Sequence, residues 1–175
     1  MLFSLLALAT VTALPGSAMS NDAVVGFEQL CVGMFIGGKS DIDPARFSVT
    51  KIGSEAAKEI RPDLKGQTLW DVSGKSTDVH MLVHYEPTGM CVVEVAAADE
   101  HAIRENYAAL VRRVANTLNS QPVAQQDRVN MVEGKAATTS MWRIKAAKSD
   151  IMLAITTYPE AKFMIQHLMT VSYVR

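Results

Sequence analysis

Apolar residues recur at helical spacing in two parts of the chain. The first run predicts a helix over residues 22–36 that ends at Gly37 and Gly38. The second run predicts a longer helix with Asp99 as its N-terminal cap. Its apolar stripe consists of Ile103, Tyr107, Leu110, Val111, Val114 and Leu118. One such stripe on each helix indicates that both helices pack one side against a shared core.

Six further runs alternate apolar and polar residues with the two-residue period of a half-buried strand. They span residues 68–73, 78–86, 90–97, 138–146, 150–157 and 167–174. Between the first helix and these strands, Asp43-Pro44 is typical of a helix start. Residues 54–60 predict a short helix that ends at Pro62, and the polar stretch 119–128 predicts a loop.

The turn at Pro87-Thr88-Gly89 predicts a hairpin with a defined register. If Glu86 faces Met90, Tyr85 lies opposite Cys91, and the pairs Val83–Val93 and Met81–Val95 are also apolar. This agreement places Cys91 on the core face of the sheet, beneath the first predicted helix. We therefore predict a disulfide between Cys31 and Cys91, with two buried free thiols as the alternative.

The first 18 residues resemble an export signal. No charged residue precedes Asp22, and an apolar run leads to Pro15 and the small residues Gly16 and Ala18. Small side chains at these positions suit signal peptidase, so we predict cleavage after Ala18. No Lys or Arg precedes the apolar run, and a membrane anchor is the alternative, although the run is short for a bilayer span. Residues 1–18 are thus the predicted signal peptide, and the protein is predicted to be periplasmic or secreted.

Residues 19–175 are predicted to form a single α+β domain. The predicted architecture is a six-stranded antiparallel sheet with two main helices on one face. Residues 22–98 and 99–175 also match each other at an offset of 72, with Trp70 on Trp142 and Pro87 on Pro159. This match predicts a tandem α-β-β-β repeat, and chance resemblance between two amphipathic hairpins is the alternative.

Composition narrows the range of functions. The chain has 17 Lys and Arg against 18 Asp and Glu, a net charge of -1, which gives no sign of the basic excess typical of nucleic-acid-binding proteins. Two cysteines are too few for a cysteine-based zinc site. We therefore expect no nucleic-acid partner, no metal, no cofactor and, after signal cleavage, no membrane span.

The segment from Gly33 to Ser40, GMFIGGKS, matches the sequence pattern G-x-x-x-x-G-K-S of a phosphate-binding loop. That chemistry needs a preceding strand and a helix that begins at the lysine. The preceding residues here have helical spacing, so we interpret the segment as a glycine-rich helix end.

His80, His84 and Glu94 are the candidate ligand-binding residues. His80 and His84 are separated by roughly 13 Å if they lie on one strand, too far to share a metal ion. In the predicted register Glu94 faces Leu82, so the three polar residues form a stripe on the non-core face. Such a stripe could bind a ligand, but a solvated sheet face is the simpler interpretation. We likewise expect His167 to be an ordinary surface residue.

Two functions from different classes remain open. The first is an exported binding or interaction protein without catalytic activity, whose partner is an envelope or extracellular protein or a small ligand. The second is an envelope hydrolase with a dispersed site around His80, His84 and Glu94. No catalytic motif such as a G-x-S-x-G elbow is present, which favours the first. A large apolar groove would support binding, whereas a deep pocket that holds these residues with shifted pKa values would support hydrolysis.

Overall fold

One large antiparallel sheet dominates the fold. The computed structural model describes residues 15–64, 67–86, 88–132, 134–162 and 165–174. Within these ranges the sheet has nine strands, namely β1 (Phe47–Ile52), β2 (Leu69–Gly74), β3 (His80–Glu86), β4 (Met90–Val95), β5 (Pro122–Ala124), β6 (Arg128–Val132), β7 (Lys135–Ile144), β8 (Ile151–Lys162) and β9 (Ile165–Tyr173). The strand order is β1-β2-β3-β4-β9-β8-β7-β5, and β6 pairs with β7. The α+β class is confirmed, with nine described strands where six were predicted.

The described helices lie before β1, between β1 and β2, and between β4 and β5. They are α1 (Pro15–Phe27), a π-helical turn (Glu28–Val32), α2 (Gly33–Gly37), α3 (Ser54–Ile60) and α4 (Glu100–Thr117). Both predicted main helices are confirmed. The Asp99 carboxylate caps α4 by accepting a hydrogen bond from the Ala102 amide at 2.7 Å. The helical segment before β1 ends at Gly38, whose φ of 73° is readily adopted by glycine.

The core lies between these two helical segments and one face of the sheet. Phe27 and Tyr107 stack with their ring centroids 5.6 Å apart, which joins α1 to α4. The buried Tyr107 hydroxyl donates to the backbone carbonyls of Ala154 at 2.8 Å and Thr170 at 3.2 Å. Burial of the apolar helix stripes against β4, β9 and β8 is therefore the main source of stability.

The predicted hairpin register is confirmed. Tyr85 pairs with Cys91, and Glu86 pairs with Met90. Gly89 has the expected positive φ of 81°, whereas Pro87 lies outside the described residues. The Cys31–Cys91 disulfide is present and joins the π-helical turn to β4, with a Cα–Cα distance of 5.5 Å.

Three strands were missed by the sequence analysis. Asp43-Pro44 does not start a helix, because the Asp43 carboxylate accepts a hydrogen bond from the Ala45 amide at 2.8 Å and closes a turn instead. The chain then enters β1 at Phe47. The stretch predicted as a loop contains β5 and the start of β6. Both strands pair with β7, although Val123, Val129 and Met131 are exposed. An edge strand with exposed apolar residues has no buried face to produce a clear alternation.

The two hairpins predicted to be repeats differ in register. Trp70 pairs with Val83, while Trp142 pairs with Leu153. A uniform offset of 72 would place Val83 on Ile155, so the second hairpin is shifted by two residues. The strands of the two halves nevertheless occupy mirrored places about the β4–β9 pair. The tandem repeat stays a prediction.

The predicted signal peptide lies mostly outside the described residues, which begin at Pro15. Ala18, the predicted cleavage position, falls in α1. None of the helices in the described ranges is long and apolar enough to span a membrane.

Candidate functional site

The sheet face opposite the core carries the candidate residues. Leu82, His84 and Glu94 alternate along β3 and β4 with core residues, so they point to the other side. We call this side the α3 face, because α3 and the segment after it cover part of it. Arg61 reaches Glu94 and Gln67 reaches His84, which fixes this cover to the sheet.

The sequence of α3 explains how it covers the sheet. Five of the seven residues of SEAAKEI are Glu, Ala or Lys, which favour helices, and Ala57 is buried. The helix ends at Arg61 because Pro62 disfavours helical geometry at the residue before it. Arg61 is thereby the first residue that leaves the helix and turns its guanidinium toward β4.

A cavity of about 490 Å³ lies between α3 and the sheet, and we call it the α3 pocket. Its volume is in the range of small-molecule sites. Most of its wall is apolar and includes Ile52, Ala56, Ile60 and Leu82, while Asp71, His80 and Glu94 are among its polar residues. The pocket is therefore an apolar site with a few polar groups at its wall.

Glu94 is the most buried charged residue of this wall, with 3% of its surface exposed. Its Oε1 forms an ion pair with Nη1 of Arg61 and lies 3.3 Å from Nε2 of His84. Arg61 also donates from Nε and Nη2 to the Asp63 carboxylate, at 2.8 and 2.6 Å. The guanidinium thus bridges two carboxylates, which gives it a fixed orientation.

His84 is 2% exposed and contacts polar groups through both ring nitrogens. Its Nδ1 lies 3.2 Å from Oε1 of Gln67, and its Nε2 lies 3.3 Å from Oε1 of Glu94. A neutral ring carries one N–H. It donates from Nδ1 when Gln67 presents Oε1, as it does here, and from Nε2 to Glu94 when the Gln67 amide presents its NH₂ instead.

The pKa shifts follow from burial and from Arg61. Burial, and secondarily the positive charge of Arg61, lower the pKa of His84 from 6.5 to about 4. The hydrogen bonds from Arg61 lower the pKa of the Asp63 carboxyl. At neutral pH the cluster therefore holds a neutral imidazole between an amide and a carboxylate.

The second carboxylate oxygen of Glu94 has a different environment. Oε2 is inaccessible to solvent and has no hydrogen-bond partner among the described residues. A buried acceptor without a partner costs free energy, and such groups commonly mark places where a ligand or water binds. Nη1 of Arg61, which adjoins this carboxylate, is also buried without a hydrogen-bond partner among the described residues, so a small turn of the guanidinium would satisfy both atoms.

The structure brings two of the three sequence-predicted residues together. His84 and Glu94 are in contact, while His80 is exposed and lines the α3 pocket. The expectation of a solvated sheet face is wrong for His84 and Glu94, because α3 and its following segment cover them. Arg61 and Gln67 were not predicted from the sequence. The one sequence feature that pointed to Arg61 was Glu94, because a glutamate on a strand needs a cationic partner if it is buried.

His167 also differs from its expectation. It is fully buried in β9, where its Nε2 donates to the Ala98 carbonyl at 3.1 Å. Burial lowers the pKa of this ring as well. The expectation of a surface position was wrong because the loop that leads into α4 covers the end of β9, where His167 lies.

The GMFIGGKS segment is a helix end, as interpreted from sequence. Gly33–Gly37 form α2, and no strand precedes them in the described part of the chain. A Cβ on Gly33 would lie 2.9 Å from the Lys39 carbonyl oxygen, so the returning loop explains this glycine. Across the described ranges, no cluster of three or more His, Cys, Asp or Glu could hold a metal ion.

Fold and site together define an α+β protein with a disulfide on one face of its sheet and an apolar pocket on the other. Comparisons add no family to this description, because no protein-family model, curated protein or solved structure matches the chain. The α3 pocket is therefore the feature of the molecule that bears on its function.

Proposed function

We propose that this chain is a small exported protein, periplasmic or secreted, that binds a small ligand in the α3 pocket without catalysis. The observation that carries the proposal is the pocket itself, an apolar cavity of about 490 Å³ with a buried carboxylate in its wall. A concave apolar site with a few polar groups is the usual form of a small-molecule site.

The lining of the pocket supports binding rather than chemistry. Its described wall contains no serine or cysteine that could act as a nucleophile. Both ring nitrogens of His84 are engaged by Gln67 and Glu94, and Oε1 of Glu94 is engaged by Arg61. Because these groups contact one another, they are suited to hold a rigid binding site rather than to act on a substrate.

Export is supported by two independent features. The N-terminal residues have the apolar run and small residues of a signal peptide. The Cys31–Cys91 disulfide is typical of proteins that work in an oxidising compartment. Expression of the full chain in a bacterial host, followed by fractionation and mass spectrometry, should give envelope or medium protein that begins near Met19. An uncleaved chain in the cytoplasm would contradict this part of the proposal.

The assignment of the α3 pocket as the binding site is tested with a variant whose larger side chain occupies the pocket. N-phenyl-1-naphthylamine, a neutral apolar dye that fluoresces in apolar sites, should bind the wild-type protein with saturable enhancement. The Ala56→Trp variant places an indole in the wall of the pocket and should reduce the dye affinity by roughly tenfold or more. Glu59→Trp is the matched control, because Glu59 is on the same helix and is exposed outside the wall of the α3 pocket. Equal affinities in all three proteins would overturn the assignment of this pocket.

A hydrolase is the second candidate, and the His84–Glu94 contact with its lowered His84 pKa is the observation in its favour. A catalytic pair of this kind should give turnover of simple esters that Glu94→Gln abolishes. We expect 4-nitrophenyl butyrate to be hydrolysed no faster than in buffer with bovine albumin at equal concentration. Turnover that depends on Glu94 would replace the binding proposal with the catalytic one.

A further inference from the structure

We infer that α3 is a movable cover of the α3 pocket and that it closes on a bound ligand by bringing Ala56 and Ile60 onto it. This inference rests on the proposed function and adds how the same site opens and closes. It is carried by the single buried residue of α3, by cavities on two sides of the helix and by the exposure of the apolar residues that face the pocket.

The first step is the weak attachment of α3 itself. Of its seven residues only Ala57 is buried. No described side chain caps its N-terminus, and the ion pair between Lys58 and Glu55 is exposed. A helix of this length is not stable on its own in water, and an exposed ion pair adds little. The position of α3 therefore depends on Ala57 and on the segments at its two ends.

The second step concerns those two ends, which are held to the sheet. Before α3, Ile52 pairs with Leu69 of β2. After it, Arg61 pairs with the buried Glu94 and with Asp63. A helix that is fixed at both ends and rests on one small side chain between them can tilt about the line that joins the ends, although it cannot leave the sheet.

The third step is the space on two sides of α3. A second cavity, of about 380 Å³, borders a different side of the helix, where Ser54, Ala57 and Lys58 contribute to its wall. We call it the Lys58 cavity. Ala56 and Ile60, which lie one helical turn apart, face the α3 pocket instead. Close packing on either side would fix the helix, whereas a cavity on each side leaves room for it to move.

The fourth step gives the direction of the movement. Ile60 is 38% exposed although it lines an apolar pocket, and Ala56 is exposed as well. A ligand in the pocket offers both side chains an apolar surface, so movement of α3 toward the ligand removes apolar area from water. Because the ligand makes these contacts more fully in the closed arrangement, it binds that arrangement more tightly and shifts the population toward it.

Hydrogen exchange measured by mass spectrometry tests the movement on the full-length protein with its disulfide intact. In the ligand-free protein we expect the amides of α3 to exchange faster than those of β3 and β4. Saturation with N-phenyl-1-naphthylamine should slow exchange in α3 by roughly tenfold or more, because the closed helix opens less often. The amides of α4, in the other helical layer, should keep their rates and provide the internal control.

A variant on the other side of the helix provides a second measurement. Lys58→Trp places an indole in the wall of the Lys58 cavity and outside the wall of the α3 pocket, so it should press α3 toward the ligand. We expect the dye to dissociate at least roughly threefold more slowly from this variant than from the wild type in stopped-flow fluorescence. Glu59→Trp is the matched control, because Glu59 lines neither cavity, and its dissociation rate should equal that of the wild type.

The outcomes separate this inference from the proposed function. Dye binding that Ala56→Trp weakens, without slower exchange in α3, would overturn the movable cover and leave the pocket as a ligand site. Equal dissociation rates in Lys58→Trp and the wild type would also overturn it, as would α3 amides that exchange as slowly as those of β3 in the ligand-free protein. A wild-type protein that binds no dye would contradict the proposed function, and this inference with it.

Discussion

Arg61 connects α3 to the sheet and pairs with a carboxylate that is almost fully buried. We expect Arg61→Ala to lower the free energy of unfolding by about 3 kcal/mol, because Glu94 would be left as a buried charge without its cation. The double variant Arg61→Ala, Glu94→Leu should recover much of this loss, since it removes the unpaired charge. Urea denaturation monitored by circular dichroism gives the free energies.

A surface ion pair provides the control for this prediction. Arg143 pairs with Asp150 at 2.7 Å, but half of the Arg143 side chain is exposed. Arg143→Ala should therefore cost less than about 1 kcal/mol. A similar loss for both arginine variants would show that Glu94 does not depend on its partner.

His84 should make the stability of the protein depend on pH. Its pKa is about 4 in the folded protein and near 6.5 in the unfolded chain. Between these values the unfolded state binds a proton that the folded state does not, so the free energy of unfolding falls as the pH decreases. We expect a loss of about 2 kcal/mol between pH 7 and pH 5 from this residue, with no further dependence on His84 below its folded pKa.

Urea denaturation of His84→Gln at both pH values tests this expectation. The variant should lose most of the His84 contribution, while the buried His167, whose pKa is also lowered, retains a contribution of the same sign. His101→Gln is the control, because its side chain is 84% exposed. An unchanged pH dependence in His84→Gln would contradict the burial of a neutral ring.

The β3–β4 hairpin shows what could be predicted from sequence alone. A three-residue loop with glycine at its end, together with apolar pairs on one side, determined the register and through it the position of Cys91. The same alternation placed His84 and Glu94 on the opposite face. These predictions held because one buried face specifies register strongly, since a shift of one residue would expose every apolar side chain.

The cover of the α3 face could not be predicted in the same way. Residues 40–66 contain no long amphipathic period, and β1 was hidden because only Phe47 of its residues is buried. The path that brings Arg61 to Glu94 depends on a tertiary contact between a short helix and the sheet. No local pattern encodes that contact, so the pocket was not foreseen, although two residues of its wall, His80 and Glu94, were named as candidates.

The disulfide joins the helical layer to the sheet and closes a loop with a sequence separation of 60 residues. On the chain-entropy model we expect the Cys31→Ala, Cys91→Ala protein to be less stable than the wild type by about 4 kcal/mol. Denaturant midpoints of the variant and of the wild type, with and without reductant, test this. Reduced wild type should match the variant, and a variant as stable as the oxidised protein would show that the bond contributes nothing.

The parts of the fold that provide most of the stability lie away from the proposed binding site. The helices, the disulfide and the main core lie on one face of the sheet, and α3 with its pocket lies on the other. The α3 cover is held by few buried apolar residues, among them Ala57, and by the contacts of Arg61 and Gln67. Variants on the α3 face are therefore expected to alter binding with less effect on folding than variants of the core.

The most direct test of the α3 pocket is to observe where a ligand binds. Amide chemical shifts of the ¹⁵N-labelled protein are recorded during titration with N-phenyl-1-naphthylamine. We expect saturable shifts at Ile52, Ala56, Ile60 and Leu82, and little change at Met34 and Tyr173 beside the other helical layer. Saturable shifts confined to Met34 and Tyr173, or no saturable shifts at all, would contradict the assignment of the α3 pocket as the functional site.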